Sequence, residues 1–302
     1  MPKAQTVQFQ QQLLASKELG QEESYVRTVV RRFFKHRLAV AGFIVIMLIV
    51  LMAIFAPLLA PHNPYDVQNQ FEAPPSAQHP LGTDQVGRDV LSRLIYASRV
   101  SLYVGFGAVA IYVLIGTVLG AVAGYFGKWI DNLVMRLTDI FMSFPYLMVI
   151  LVLVSVLGPS LFNITIVLGV LGWPQVARLV RGSVLSIKEM DYVKACVALG
   201  YSTPKILFQH ILPNTLAPIL VNATFGIASA IIMEASLSFL GMGVQPPTAS
   251  WGNMLTEAQS ITVLSSQPWL WIPPGMMILL AVLSINFMGD GLRDALEPNY
   301  SK

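Results

Sequence analysis

The sequence predicts an all-α membrane protein with six transmembrane helices, and its composition and the spacing of its charges support this prediction. Hydrophobic residues make up 55% of the 302-residue chain and charged residues only 12%, whereas soluble domains contain about 25% charged residues. Long segments without Lys, Arg, Asp or Glu recur along the chain, at 38–65, 100–127, 140–177, 206–233 and 258–289. This pattern is typical of a polytopic membrane protein.

The lengths of these segments determine the predicted number of spans. A helix that rises 1.5 Å per residue needs about 20 apolar residues to cross about 30 Å of hydrocarbon. The segment 140–177 is too long for one crossing, and the sequence Leu-Gly-Pro-Ser at 157–160 provides a turn in its middle. We therefore predict six spans, near residues 38–60, 100–126, 138–157, 161–178, 216–240 and 269–289.

The Lys and Arg residues predict the orientation of the spans, because positively charged loops are retained in the cytoplasm. With the amino terminus inside, the inner segments hold sixteen Lys and Arg residues and the outer segments hold three. Both termini and the polar segment 178–215 are therefore predicted to be cytoplasmic. The formal net charge of +3 reflects this topology, so we expect a lipid bilayer as a partner and no nucleic acid.

These spans divide the chain into three regions. The regions are a cytoplasmic tail with a basic amphipathic segment (1–37), the first span with an extracytoplasmic loop (38–99), and the core of the protein (100–302). In the extracytoplasmic loop, Thr83 or Asp84 is a candidate cap for a helix with an apolar face over 90–95. This helix either anchors the start of the second span or contacts a partner at the outer surface.

Three glycines recur at four-residue steps in the second predicted span, at Gly116, Gly120 and Gly124. Small residues at this spacing allow two helix backbones to approach closely in lipid. We predict that this ridge is a helix-packing surface. The sequence does not separate packing within the chain from packing against a second membrane subunit.

The sequence contains no motif for catalysis. A GxxxxGK[ST] phosphate loop, an HExxH motif and a GxSxG motif are all missing. The four histidines, at positions 36, 62, 79 and 210, lie apart in the sequence without the spacing of metal ligands. We therefore predict no catalytic residue, no bound metal and no cofactor, so any active transport must draw energy from a separate subunit.

Three acidic residues lie in or next to the predicted spans, where ionisable groups are costly and often functional. Asp139 and Asp290 are expected at the inner interface, close to Arg136 and Arg293, and we interpret both as structural. Glu234 lies about six residues from the outer end of the fifth span. It either faces an aqueous pathway, where it is a candidate to contact substrate, or pairs locally near the outer surface.

The segment 188–213 predicts two short helices joined at a glycine. The first helix has an apolar stripe at helical spacing, formed by Tyr192, Ala195, Cys196 and Leu199. Gly200 follows at the position where a helix end favours the left-handed conformation. A second helix is predicted from its N-cap, Ser202, to Pro213, which ends it.

This segment resembles the cytoplasmic "EAA…G…LP" loop of ABC importer permeases, because Pro213 follows Gly200 by thirteen residues in an Ile-Leu-Pro-Asn string. In that family the loop docks into a cleft on the ATPase subunit. Lys194 stands where the family commonly has Glu, and His210 replaces the usual aliphatic residue. The resemblance implies ATPase docking through Asp191, Tyr192, Lys194, Ala195, Cys196, Ala198, Leu199, Gly200, Leu212 and Pro213.

Further strings resemble, more narrowly, the C-type permeases of dipeptide and oligopeptide ABC importers. They are RRFFKHRLAVAGFIVIMLIVLMAIFAPLLAPHNP, LGTDQVGRDVLSRLIYASRVSL, EASLSFLGMG and GDGLRDALEPN. The resemblance runs from Arg31 to Asn299 and implies a type I ABC permease fold in the bacterial cell membrane. It also implies a homologous permease, two ABC ATPases and an extracytoplasmic peptide-binding protein as partners.

Two other functions remain open at this point. The same architecture can carry nickel or a nickel chelate, because metal importers share this permease family, although the low histidine content argues weakly against direct metal contact. A stand-alone secondary carrier or a membrane enzyme is the other alternative. Such a carrier typically shows an internal repeat and paired acidic residues in the membrane, and the sequence shows neither.

Overall fold

The computed structural model describes residues 25–296, and this part of the chain is helical. The first half contains α1 Tyr25–Lys35, α2 Arg37–Ile54, α3 Ala56–Leu59, α4 Val90–Phe126, α5 Lys128–Ser143 and α6 Tyr146–Leu157. The second half contains α7 Leu161–Lys188, α8 Asp191–Ala198, α9 Thr203–Ile206, α10 Leu212–Phe239, α11 Trp251–Met254, α12 Ile261–Ser266 and α13 Pro268–Leu296. Most of the predicted tail, 1–24, and the carboxyl-terminal residues 297–302 lie outside the described residues.

Within 25–296, five helices are long and apolar enough to cross a membrane. They are α2, α4, α7, α13 and the continuous helix Thr203–Phe239, which includes α9 and α10. Helices α5 and α6 pass the same test together, but they meet at an angle of 86°. The number of spans is therefore five, or six if the bent pair is one broken span.

The bend between α5 and α6 corrects the prediction of a straight third span over 138–157. Pro145 has no N–H to donate to a helix and disfavours helical geometry in the residue before it. Phe144 accordingly adopts the extended conformation, with φ −97° and ψ 145°, and α5 ends at Ser143. Helix α5 also begins earlier than predicted, at Lys128, directly after Gly127.

Helix α4 merges two elements that the sequence predicts separately. Its 37 residues include both the outer-loop helix and the second span, for a length of about 56 Å. The N-cap is Asp89, whose side chain accepts a hydrogen bond from the backbone N–H of Ser92, so the prediction of Thr83 or Asp84 as the cap is wrong. The chain turns at Gly82 and Gly87, both at positive φ, and therefore becomes helical only after them.

The glycine ridge of α4 packs against α7 of the same chain, which resolves the alternative left open by the sequence. A Cβ atom on Gly116 would lie 2.6 Å from Cβ of Val176, and one on Gly124 would lie 2.9 Å from Cβ of Val184. Real Cβ atoms do not approach this closely. The contact between α4 and α7 therefore requires glycine at these positions, and it forms the centre of the larger hydrophobic core.

Two ion pairs join α5 to α7 beside this core. Asp139 Oδ1 lies 2.5 Å from Nη2 of Arg178, and Asp131 accepts hydrogen bonds from Arg181, at 2.6 Å for the Nη2–Oδ2 pair. The expected structural role of Asp139 is consistent with this geometry, but its partner is Arg178 and not Arg136. No local sequence signal identifies these pairs, because the partners lie on different helices.

Candidate functional site

Residues 191–202, which we call the knuckle, join α7 to the helix Thr203–Phe239. Helix α7 continues to Lys188, and α8 starts at Asp191 after a break at Glu189 and Met190. The helix that the sequence predicts to begin at Lys188 is therefore divided: Lys188 is the last residue of α7, and the rest of the helix is α8. The knuckle ends α8 and redirects the chain at Gly200.

The end of α8 has the backbone pattern of a Schellman motif. Gly200 has φ +76°, as predicted. Its N–H donates to Val197 O at 3.0 Å, and the N–H of Tyr201 donates to Cys196 O at 3.1 Å. These two bonds satisfy carbonyl groups that the helix end would otherwise leave free. A Cβ atom on Gly200 would meet nothing within 4 Å, so the requirement for glycine arises from the backbone alone.

The knuckle leaves most of its apolar side chains exposed. Leu199 is 73% exposed and Val197 is 56% exposed, whereas Val193 is 1% exposed and joins the main hydrophobic core. Of the predicted apolar stripe, Tyr192, Ala195 and Leu199 are exposed, and Cys196 packs partly against the core. Val193 anchors α8 instead, and the sequence analysis did not identify it.

The helix after the knuckle does not end at Pro213, which corrects the prediction for the second short helix. A π-helical turn at Leu207–Ile211 connects α9 to α10, and the N–H of Leu212 donates to Leu207 O, five residues back. Pro213 then occupies the first turn of α10, where its missing N–H costs little. The knuckle is therefore connected to a membrane helix without a flexible linker.

Polar contacts of the knuckle lie at its surface. Lys194 Nζ lies 3.0 Å from Glu189 Oε2, and both side chains are exposed. A hydrogen bond from Lys194 lowers the pKa of Glu189. On the other side, Asn214 Nδ2 donates to His210 O at 2.7 Å and to the hydroxyl of Tyr192 at 3.3 Å. The second contact links α8 to α10.

A cavity of about 430 Å³ lies among α4, α7, α10 and the bend between α5 and α6. Its polar lining residues are Tyr112, Tyr146, Gln175, Asn222 and Ser229, and its aromatic lining includes Phe141, Phe144 and Phe225. No Asp, Glu, Lys or Arg is among the residues that line it. Helix α10, which continues from the knuckle, supplies part of the wall.

Glu234 does not line this cavity. It lies in α10 with no exposed surface, and it accepts hydrogen bonds from Ser238 Oγ at 2.7 Å and from Ser101 Oγ at 3.5 Å. Ser101 Oγ also accepts a hydrogen bond from the backbone N–H of Trp251. The carboxylate therefore joins α4, α10 and α11, and the predicted role of Glu234 in a substrate pathway has no supporting contact in this conformation.

Two of the four histidines that lie apart in the sequence come together in the structure. The fold brings the ring centroids of His62 and His79 to 4.8 Å, and Asp89 lies beside both. No local signal could have shown this, because the three residues are separated by turns in the outer loop.

Comparisons with known proteins identify the family. The family described as binding-protein-dependent transport system inner membrane component matches residues 116–302. The N-terminal TM domain of oligopeptide transport permease C matches residues 24–77. A chain of the MetNI methionine ABC transporter, solved in inward-facing conformations, superposes with a TM-score of 0.52 at 20% identity, covering 68% of this chain and 97% of that chain. At this identity the likeness shows the fold alone.

Curated relatives cover most of the chain. It is 44% identical over 277 residues to the dipeptide transport system permease protein DppC of Alkalihalophilus pseudofirmus, covering 90% of this chain and 89% of that protein. It is 41% identical to the oligopeptide transport system permease protein OppC of Bacillus subtilis, with 90% and 88% covered. The glutathione transport system permease protein GsiD of Pectobacterium atrosepticum is 40% identical, with 89% of each covered. The chain therefore belongs to the family of inner membrane components of binding-protein-dependent transport systems.

Proposed function

We propose that this chain is the transmembrane permease subunit of an ATP-driven importer of short peptides. Its relatives at 40–44% identity are named as permeases for dipeptides, oligopeptides and glutathione, and glutathione is itself a short peptide. Membership of a binding-protein-dependent family supports an extracytoplasmic binding protein as the partner that delivers the substrate. The further partners in this proposal are a homologous permease and two ABC ATPase subunits.

The observation that carries the proposal of ATPase docking is the exposed apolar surface of the knuckle. Exposed apolar side chains such as Leu199 and Val197 typically mark an interaction site when they are contiguous. The knuckle contains the residues that the family resemblance assigns to docking, from Asp191 to Gly200, and the Schellman motif holds them in one conformation. In this proposal a cleft on the ATPase covers Leu199 and its neighbours.

Coupling then follows from the connection between the knuckle and the membrane. ATP-driven closure of the two ATPases displaces the knuckle, and the continuous helix Thr203–Phe239 carries that displacement to the cavity wall. The cycle requires two states with different affinities for their ligands. In this proposal, ATP favours one state and the substrate-loaded binding protein favours the other.

The cavity between α4, α7 and α10 is the proposed part of the translocation pathway. Its volume of about 430 Å³ is within the range of small-ligand sites. Amide and hydroxyl groups from Gln175, Asn222 and Ser229 can hydrogen-bond a peptide backbone without selecting a side-chain charge. An uncharged lining suits a pathway that must accept peptides of different composition.

The proposed topology has six spans, with the bent pair α5–α6 as the third, and both termini in the cytoplasm. The asymmetry of Lys and Arg residues supports it, because the inner segments hold sixteen and the outer segments three. Single cysteines at the exposed positions Ser186 and Gln245, in a Cys196→Ala background, are expected to react with an impermeant maleimide from opposite sides. Equal labelling of both in intact cells would contradict this topology.

Growth on peptides tests the substrate class. A strain that lacks this chain is expected to lose growth on a required amino acid supplied as di- and tripeptides, whereas the free amino acid still supports growth. The experiment uses a background without other peptide importers, and the intact gene on a plasmid restores peptide use. Normal peptide use together with failed nickel uptake would favour the nickel importer instead.

A further inference from the structure

The outer loop contains a group of two histidines and one aspartate that the proposed function does not use; His79 and Asp89 are buried and His62 is half-buried. His62, His79 and Asp89 each offer one ligand atom, and these atoms lie within 4.8 Å of one another. Asp89 is the N-cap of α4, and the two histidines lie in the segment between α3 and α4. The loop therefore gathers three potential metal ligands at the start of a membrane helix.

Asp89 uses one carboxylate oxygen for the helix cap and presents the other to the histidines. Its Oδ2 accepts hydrogen bonds from N and Oγ of Ser92, at 2.8 and 2.7 Å. The side chain has no exposed surface, and among the described residues only His62 and His79 provide basic groups within ion-pair distance of it. Because a buried carboxylate is costly without positive charge beside it, this geometry favours a bound cation.

In the tautomer that carries its proton on Nε2, His79 has the hydrogen-bond pattern of a metal ligand. Its Nε2 lies 3.1 Å from Oε1 of Gln68, and its Nδ1 lies 2.8 Å from Oδ1 of Asp89. If Nε2–H donates to Gln68, the neutral ring has a lone pair at Nδ1, directed at a carboxylate oxygen. Two lone pairs at this distance require a shared cation, either a proton or a metal ion. Metal-binding histidines usually donate the other ring N–H to an acceptor in this way.

His62 completes the group with a nitrogen that has no other use in the described structure. Its Nδ1 is buried without a hydrogen-bond partner and lies 3.7 Å from Oδ1 of Asp89. The backbone N–H of His62 donates to Oγ of Ser92 at 3.0 Å, which fixes the residue beside the cap. A buried ring nitrogen without a partner is destabilising unless a ligand satisfies it.

We propose that His62, His79 and Asp89 bind a divalent transition-metal ion of the zinc class. Two imidazole nitrogens and one carboxylate oxygen form a common zinc ligand set, with water in the fourth position. Tetrahedral zinc separates its ligand atoms by about 3.3–3.6 Å, so the distances of 2.8 and 3.7 Å require only small shifts. Magnesium and calcium prefer oxygen ligands. The bound ion fastens the outer loop to the start of α4.

Metal binding is measured on the full-length chain in detergent, purified through an affinity tag that contains no histidine. The chain is depleted of metal and titrated with Zn²⁺ in competition with a chromophoric chelator. We expect one Zn²⁺ per chain with a Kd below about 1 µM. The unfolding temperature is expected to rise with the free Zn²⁺ concentration, because only the folded loop assembles the site.

His62→Gln is the decisive variant, because Nδ1 of His62 has no hydrogen-bond partner in the described structure, so the substitution breaks no hydrogen bond of that atom. Loss of a contact that only supports a metal ligand typically lowers metal affinity by about 10–100-fold. Because His62 is itself a ligand in this proposal, we expect the Zn²⁺ affinity of His62→Gln to fall by more than this. His36→Asn is the matched control: it removes a histidine at the start of α2 but retains a good N-cap, so Zn²⁺ binding is unchanged.

Asp89→Asn provides a second test in a chain that retains an oxygen acceptor for Ser92. It removes the negative charge and is expected to weaken Zn²⁺ binding as strongly as His62→Gln does. The proposal is overturned if the wild-type chain binds no Zn²⁺ at one equivalent. It is equally overturned if both variants bind Zn²⁺ as the wild-type chain does.

Discussion

The loop 60–89, called the outer loop here, connects α3 to α4, and the knuckle connects α7 to the helix Thr203–Phe239. The two segments are built in opposite ways. In the outer loop, Asp84 is buried and accepts hydrogen bonds from the backbone N–H groups of Val86 and Arg88. It also pairs with Arg88 and Arg93. In the knuckle, Leu199 is 73% exposed and the ion pair of Lys194 lies at the surface. Internal contacts therefore stabilise the outer loop, whereas the knuckle keeps its shape through backbone conformation and presents its side chains to a partner.

Asp84→Ala is the change with the largest expected effect, because it removes the acceptor on which the outer loop depends. The substitution leaves the guanidinium group of Arg93, which is 5% exposed, without its acidic partner. Breaking one side of a buried ion pair typically costs about 3–5 kcal/mol. We expect the free energy of unfolding of the detergent-purified chain to fall by about this amount, as measured by denaturant titration followed by circular dichroism.

Asp66→Ala is the control for this prediction. Asp66 is the same residue type in the same loop, but its side chain is exposed and forms no salt bridge among the described residues. The free energy of unfolding of Asp66→Ala is expected to differ from that of the wild-type chain by less than about 0.5 kcal/mol. If Asp66→Ala and Asp84→Ala destabilise the chain equally, the outer loop is not stabilised by the buried network around Asp84.

Gly200→Val is expected to have the next largest effect, and to act on coupling more than on folding. A β-branched residue at φ +76° costs about 1–3 kcal/mol of local strain. The main hydrophobic core is unaffected, because a Cβ at this position would meet nothing within 4 Å. Membrane abundance should stay near normal, while co-purification with the ATPase weakens or substrate-stimulated ATP hydrolysis by the assembled transporter is lost. Gly200→Ala should be milder.

Gly241→Val is a matched control at the outer end of the same helix. Gly241 has φ +81°, and its N–H donates to Ser238 O while the N–H of Met242 donates to Leu237 O. It therefore repeats the Schellman motif of Gly200, and a Cβ there would also meet nothing within 4 Å. Gly241→Val is expected to cost similar strain but leave ATPase binding intact. Equal loss of ATPase binding in both variants would show that strain, and not the knuckle, is responsible.

The comparison also shows which features the sequence could predict. Gly200 was identified correctly because a left-handed helix end is a local property of a few residues. The long apolar segments similarly identified the membrane helices, since span length is a property of one segment. The docking, cavity and topology assignments remain predictions, because they depend on partners and on a membrane that a single chain does not contain.

Two local helix boundaries and several contacts between distant residues were not predicted. The sequence indicated a straight span through Pro145 and a helix end at Pro213, and the structure reverses both. Pro145 breaks the helix, whereas the π-helical turn before Pro213 allows the helix to continue. The pairing of Arg181 with Asp131 and the approach of His62 to His79 depend on tertiary packing, which periodicity does not encode.

Glu257→Gln tests the charged network of the outer loop through its pH dependence, because Glu257, in the segment between α11 and α12, lies beside Asp84, Arg88 and Arg93. Burial raises the pKa of Glu257, and the neighbouring Asp84 raises it further. A carboxyl group with a raised pKa binds more protons in the folded state, so its contribution makes the chain less stable as the pH rises through the unfolded and folded pKa values. We therefore expect Glu257→Gln to be more stable than the wild-type chain at pH 7, with this gain decreasing toward pH 4.

Paired denaturant titrations at pH 4 and pH 7 measure this effect. Asp66→Asn is a suitable control, because Asp66 is an exposed acidic residue that is not among the groups that shift the pKa of Glu257. A stability difference between wild type and Glu257→Gln that is constant across this pH range would contradict a raised pKa of Glu257.

Lys194→Ala is expected to have the smallest effect on stability, because its ion pair with Glu189 is exposed to solvent and such pairs contribute little. The lowered pKa of Glu189 means that any contribution is present at neutral pH and is lost as the pH falls through the folded pKa. The unfolding midpoint at pH 7 should therefore match the wild type.

If the knuckle docks as proposed, Lys194→Ala should still slow ATPase association at low salt, because surface charges act mainly on association rates. Lys194→Arg should restore the wild-type rate. A loss of stability without a change in ATPase association would place Lys194 in the fold of the knuckle and not on its docking surface.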